Sequence, residues 1–110
     1  MPNKLDSKDL SKVTGGAIRP KDAADYLANM NEHIRLYFFA IKDNSIVQKL
    51  TDTISQAFTS AENGNYPNVL SLLDDAKTYL TQIELLHPDG AAYAPIITKL
   101  INNLITLLTL

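Results

Sequence analysis

The first sixteen residues combine a short apolar stripe with two consecutive glycines. On a helix, successive residues are rotated by about 100°, so three apolar side chains and one acid of this segment lie within an arc of roughly 140°. These residues are Leu5, Asp9, Leu10 and Val13. The segment could therefore bind a shallow groove as a helix that forms on binding. Gly15 and Gly16 follow, and glycine can present bare backbone to a narrow cleft that excludes side chains.

This pattern resembles the double-glycine leader of bacteriocin and peptide-pheromone precursors, in which a Leu, an acidic-Leu pair and a β-branched residue precede Gly-Gly. The matching positions are Leu5, Asp9-Leu10, Val13 and Gly15-Gly16. Two positions are mild departures, because Asp6 stands in place of the usual Ser and Asp9 in place of the usual Glu.

The resemblance implies a partner and a reaction. The cysteine-peptidase domain of an ABC transporter is expected to recognise Leu5, Asp9, Leu10 and Val13. It would cut at the Gly15-Gly16 site, after Gly16, and the transporter would secrete the remainder. In this interpretation residues 1–16 are a flexible leader and residues 17–110 are the exported domain.

Other residues that could do chemistry lack the partners that chemistry requires. Glu84 and His87 have the E-x-x-H spacing of di-iron bundles, but no second such pair exists. Asp74 and Asp75 are adjacent, so on a helix their side chains point about 100° apart and do not share a substrate easily. There is no cysteine nucleophile and no Gly-rich phosphate loop. We therefore expect no catalytic residue, no metal site, no cofactor and no enzymatic activity.

Composition narrows the function further. The chain has 110 residues and no cysteine, which excludes disulfide-stapled and lanthionine-bridged peptides. Its net charge is −2, with +1 on residues 1–16 and −3 on the rest. A mildly acidic body is a poor match to cationic membrane-killing peptides and has no basic stripe for nucleic acid.

The apolar spacing predicts four helical segments in the body. They span residues 21–42, 46–62, 67–87 and 95–110, and they are separated by Asp43-Asn44, Asn63-Gly64 and Pro88-Asp89-Gly90. Apolar residues recur every three or four positions in each segment, which is typical of one buried helix face. The predicted core residues are Leu27, Met30, Ile34, Tyr37, Phe38 and Ile41; Ile46 or Val47, Leu50, Ile54, Ala57 or Phe58, and Ala61; Val69, Leu72, Leu73, Ala76, Leu80 and Ile83; and Ile96, Ile97, Leu100, Ile101, Leu104, Ile105 and Leu108. Short connections favour antiparallel neighbours, so the expected fold is all-α, an antiparallel up-down four-helix bundle.

Two apolar surfaces allow two interpretations each. Leu36 and Phe39 lie off the buried stripe of the first segment, so that helix is either central in the bundle, which we favour, or presents an apolar patch to a partner. The last segment has a wide apolar face. It either completes the core, which we favour, or leaves the bundle to enter a membrane or a receptor groove.

Two functions are compatible with these features. The first is a secreted, helical, bacteriocin-like protein that acts on a membrane or receptor target after removal of its leader. The alternative is a cytoplasmic interaction module, since the body resembles small four-helix bacteriocin-immunity proteins in size and architecture, with no shared motif.

Overall fold

The computed structural model describes residues 18–42 and 45–110, and this part of the chain is almost entirely helical. Its helices are α1 (Pro20–Phe38), α2 (Ser45–Glu62), α3 (Tyr66–Leu86), the single-turn α4 (Pro88–Ala91) and α5 (Ala94–Thr109). The all-α prediction is confirmed for these residues, in which no strand occurs. None of the described helices is long and apolar enough to cross a membrane.

The positions at which the helices begin and end agree with local sequence signals. A proline occupies the first turn of α1, α3, α4 and α5, where the missing N–H would have no helical partner. Asn65 caps α3, because its side-chain oxygen accepts from the Asn68 N–H at 3.3 Å. Gly64 has a φ of 72°, the left-handed conformation predicted for it at the end of α2.

The four long helices pack in a closed sequence of contacts. Helix α1 packs on α2, α2 on α3, α3 on α5, and α5 on α1, whereas the short α4 contacts α1, α3 and α5. One apolar stripe from each long helix faces the shared core. The described part of the chain is thus a helical bundle with a single hydrophobic centre.

Most predicted core residues are buried. Where two neighbours competed for the core, Ile46 and Ala57 are buried, and Val47 and Phe58 are only partly so. In α5, Ile97, Ile101, Leu104 and Leu108 are all buried, as expected if this helix completes the core. Tyr37, Leu72, Leu100 and Ile105 line the edge of the core as partly buried side chains.

Two expectations about this region were wrong. Ile96 was placed in the apolar face of the last helix, but it is 44% exposed. The segment Pro88-Asp89-Gly90 was expected to be a simple turn, but it begins α4. In this turn Gly90 is buried against Phe38 of α1, Ile41 after it and Ile83 of α3.

Leu80 provides a test of the core. It is essentially fully buried in α3, and Glu84, one turn later in the same helix, is exposed. We expect Leu80→Ala to lower the free energy of unfolding by about 2–5 kcal/mol, because truncation removes buried apolar atoms and leaves a cavity. Glu84→Ala should change it by no more than about 0.5 kcal/mol. Urea denaturation followed by circular dichroism measures both, and similar losses would contradict the assigned core.

Gly90 tests the packing of α4. A Cβ atom at this position would lie 2.6 Å from Cδ1 of Ile41, 2.9 Å from Cδ1 of Phe38 and 3.0 Å from Cγ2 of Ile83. Gly90→Ala should therefore destabilise the bundle by about 1–3 kcal/mol through overpacking. The neighbouring exposed Asp89 is the control, since Asp89→Ala should have little effect in the same denaturation experiment. An unchanged midpoint for Gly90→Ala would show that α4 does not pack tightly.

Candidate functional site

The residues predicted for leader recognition and cleavage lie outside the described part of the chain. They are Leu5, Asp9, Leu10, Val13, Gly15 and Gly16. The described chain begins at Ile18, two residues after the expected cleavage position, and α1 begins at Pro20. The geometry that bears on cleavage is therefore that of Ile18 and its neighbours.

Ile18 is anchored to the bundle. The Tyr66 hydroxyl, at the start of α3, donates a hydrogen bond of 2.6 Å to the Ile18 carbonyl oxygen. The Ile18 side chain is partly buried and packs against the core. Sequence reasoning did not find this contact, because it joins residues separated by 48 positions in the chain.

The local structure before α3 holds Tyr66 in place. Gly64 turns the chain after α2, and its N–H donates to the Ala61 carbonyl oxygen at 3.0 Å. Burial raises the pKa of the Tyr66 hydroxyl, and the negative charge of Asp22 raises it further. The hydroxyl therefore remains protonated at neutral pH and can donate to Ile18.

Four of the residues considered for chemistry lie on or just after α3. Asp74, Asp75 and Glu84 are exposed on α3, and His87 is partly exposed just after its end. Within residues 18–42 and 45–110, no three His, Asp or Glu side chains are grouped so that they could hold a metal ion.

Large apolar side chains are exposed where α1 and α3 end and α5 begins. Phe39 is 83% exposed and Leu36 is 69% exposed, and neither is covered by another described element. Leu85 and Leu86 are also exposed at the end of α3. We call this region, Leu36, Phe39, Leu85, Leu86 and Ile96, the apolar end of the bundle. The exposure of Leu36 and Phe39 shows that α1 is not a central helix buried on two sides, so that interpretation was wrong.

A groove runs between α1 and α2. It has a volume of about 410 Å³, with an apolar lining that includes Leu27, Ile54 and Phe58. Asn31 of α1 and Ser55 of α2 add polar groups to it. We call this the α1/α2 groove.

Asn31 is the unusual residue of this groove. It is only 7% exposed, and its Nδ2 donates to the Thr51 carbonyl oxygen at 3.3 Å and to Ser55 Oγ at 3.2 Å. Its Oδ1 is buried and accepts no hydrogen bond from the described residues. Sequence analysis missed Asn31, although a signal was present: it lies four residues after Leu27 and three before Ile34, on the buried stripe.

Comparisons with known proteins assign no family: no protein-family model, curated protein or solved structure matches this chain. The functional assignment of this chain therefore rests on its residues and their geometry.

Proposed function

We propose that this protein is a precursor with a double-glycine leader, exported and cut after Gly16 by a peptidase-containing ABC transporter. The product, residues 17–110, would be a secreted, bacteriocin-like helical protein. The recognition residues would be Leu5, Asp9, Leu10 and Val13. The evidence for this assignment is the sequence pattern that these residues form with Gly15-Gly16.

One structural observation supports the proposal most directly. Every described core residue, from Ala23 in α1 to Leu108 in α5, lies after Gly16, so a cut at this position leaves all of them in the product. A precursor that releases a folded product must carry its core residues after the cleavage site.

We also propose that the four long helices run antiparallel to their neighbours, as an up-down bundle. Two contacts between α1 and α5 support this direction: Tyr26 donates to the Leu100 carbonyl oxygen, and Tyr37 stacks on Tyr93 with ring centroids 4.8 Å apart. Moving towards the end of α1 therefore corresponds to moving towards the beginning of α5, which is the antiparallel arrangement.

The target would engage the apolar end of the bundle. The apolar residues of α5 that face the core are buried, so this helix is committed to the fold. Leu36 and Phe39, by contrast, already lie on the surface and could contact a receptor or membrane without opening the bundle.

The alternative is a cytoplasmic interaction module of the immunity type. The observation that favours it is the same apolar end, because an uncleaved protein could use this surface to bind a partner. The two proposals differ in whether Gly15-Gly16 matters, since the alternative requires no cleavage.

Substitution of the glycines tests cleavage. Incubation of the full chain with a double-glycine peptidase domain should release a product that begins Ala17-Ile18-Arg19. Gly15→Val or Gly16→Val should block the cut, because a β-branched side chain does not fit a cleft built around bare backbone. Mass spectrometry identifies the product.

Ser11→Val is the matched control, because Ser11 lies on the opposite side of the helical arc from the recognition residues. This variant should be cut like the parent chain. Efficient cleavage of both glycine variants, or a cut at another bond, would refute the leader assignment.

The Tyr66 anchor predicts that the folded precursor is a slow substrate. A peptidase binds backbone in an extended form on both sides of the cut, and the Ile18 carbonyl is already engaged by Tyr66. Tyr66→Phe removes a hydrogen bond of about 1 kcal/mol and should speed cleavage about fivefold. A synthetic peptide of residues 1–19, which lacks the anchor, should be cut faster than the folded chain.

Tyr26→Phe is the control for this experiment. It removes a comparable bond, from the Tyr26 hydroxyl to the Leu100 carbonyl oxygen at 2.9 Å, away from the cleavage position. Its cleavage rate should match that of the parent. If the peptide is not cut, the leader assignment fails. If the parent is cut as fast as the peptide, only the role of the anchor fails.

A further inference from the structure

We propose that the α1/α2 groove is a binding site for an extended peptide segment that carries an uncharged apolar side chain. This site is independent of the leader and of its cleavage. It rests on the groove and on the unpaired oxygen of Asn31.

Asn31 lowers the stability of the free protein. Its Oδ1 is buried without a donor, and an unsatisfied buried acceptor destabilises a fold. A leucine, which has a similar shape, would avoid this cost in the same position on the apolar stripe. An asparagine at this place is explained if a ligand supplies the missing donor.

The Asn31 amide is held in place by two long hydrogen bonds. Its two bonds, to the Thr51 carbonyl oxygen and to Ser55 Oγ, measure 3.3 and 3.2 Å. Both are longer than the roughly 2.9–3.0 Å that is usual for an N–H···O bond. Because Oδ1 is buried, it can meet a donor in the groove only when the amide tilts, and the tilt loosens only these two long bonds.

The unpaired groups of Asn31 and Ser55 determine which polar groups a ligand needs. Ser55 Oγ accepts from Asn31 Nδ2, so the Ser55 hydroxyl proton is available for a further acceptor. Asn31 Oδ1 and the Ser55 hydroxyl thus offer one acceptor and one donor side by side. A peptide group presents the complement, an N–H and a C=O, whereas in a helical ligand these groups are already paired.

The volume and lining of the α1/α2 groove determine which side chain a ligand can place in it. The groove volume of about 410 Å³ falls in the range of roughly 300–1,000 Å³ typical of ligand pockets. Phe58, which is only partly buried, and the exposed Ala28 provide apolar surface for a side chain, above the fully buried Leu27 and Ile54. Glu32 and Arg35 also line it with opposite charges, which gives no preference for a charged ligand.

The groove continues beyond this pocket. A second cavity of about 420 Å³ shares Phe58 and extends along α1 to Pro20. From Pro20 to Arg35 the helix rises about 22 Å, which is the length of roughly six residues of extended chain. A peptide segment of this length is long enough to span both cavities.

Titration with matched probes tests the proposal on the full chain. The first probe is N-acetyl-leucine N-methylamide, one apolar side chain between two peptide groups. The second is its fully N-methylated analogue, which has no N–H donor. We expect saturable shifts in ¹H–¹⁵N spectra at Ser55, Phe58 and the Asn31 side chain, and about tenfold weaker binding of the N-methylated probe.

Asn31→Leu should abolish the difference between the two probes, because it removes the acceptor. Its denaturation midpoint should be no lower than that of the parent, since the unpaired oxygen is gone. Asn29→Leu is the control, because Asn29 is exposed on α1 and does not line this groove; it should keep the tenfold difference. If Asn31→Leu does not fold, Ser55→Ala removes the facing donor and should weaken the binding of both probes.

Three results would overturn the proposal. They are the absence of saturable shifts up to the solubility of the first probe, equal affinity of the two probes for the parent chain, and a tenfold difference that survives in folded Asn31→Leu. Shifts centred instead on Tyr26, His33 and Leu100, which line a separate small pocket, would also place the binding elsewhere.

Discussion

Burial of one apolar stripe from each long helix is the interaction on which the other features of this protein depend. The chain has no cysteine, and its described residues contain no group that could hold a metal ion, so neither cross-link supports this part of the fold. The two described ion pairs, Arg19–Asp22 and Lys21–Asp25, are exposed and contribute little. Stability must come from apolar contacts around residues such as Leu50 and Leu80.

This dependence explains what the sequence could predict. A stripe that repeats every three or four residues is a local property, and it correctly placed Leu50, Ile54, Leu80 and Ile101 in the core. Glycine and proline are local signals as well, and Gly64 has the expected backbone conformation. The number of the long helices followed from these two kinds of evidence. The end of the first helix did not, because residues 21–42 were predicted to be helical and α1 ends at Phe38.

The features that were missed depend on distant parts of the chain. The close packing of Gly90 depends on Phe38, Ile41 and Ile83, which leave no room for a side chain there. The bond from Tyr66 to Ile18 cannot be inferred from either residue's neighbours in sequence. Of the candidate sites, only the N-terminal pattern was predicted, and it lies outside the described residues; the α1/α2 groove required the packing of two helices.

The anchor at Ile18 connects the fold to the proposed processing. Ile18 and Arg19 alone connect Ala17 to α1, and the backbone of Ile18 is held by a side chain of α3. This hydrogen bond therefore forms only when the segment before α1 lies beside the start of α3. If the leader is cut as proposed, the bond after Gly16 is most accessible before this contact forms, when the chain near Ile18 can still extend. Folding and cleavage then compete for the same few residues.

Asn31 and the apolar end each lower the stability of the bundle, and they do so in different ways. At the apolar end, Phe39 and Leu36 are left in water, which forgoes burial but leaves the core intact. At Asn31 the loss of stability is inside the bundle, since a polar oxygen replaces apolar contact on the stripe that holds α1 to α2. The buried Asn31 oxygen is the more specific sign of a binding site. An exposed apolar side chain is common on protein surfaces, whereas a buried acceptor without a donor calls for a partner, and the adjoining groove is where one can bind.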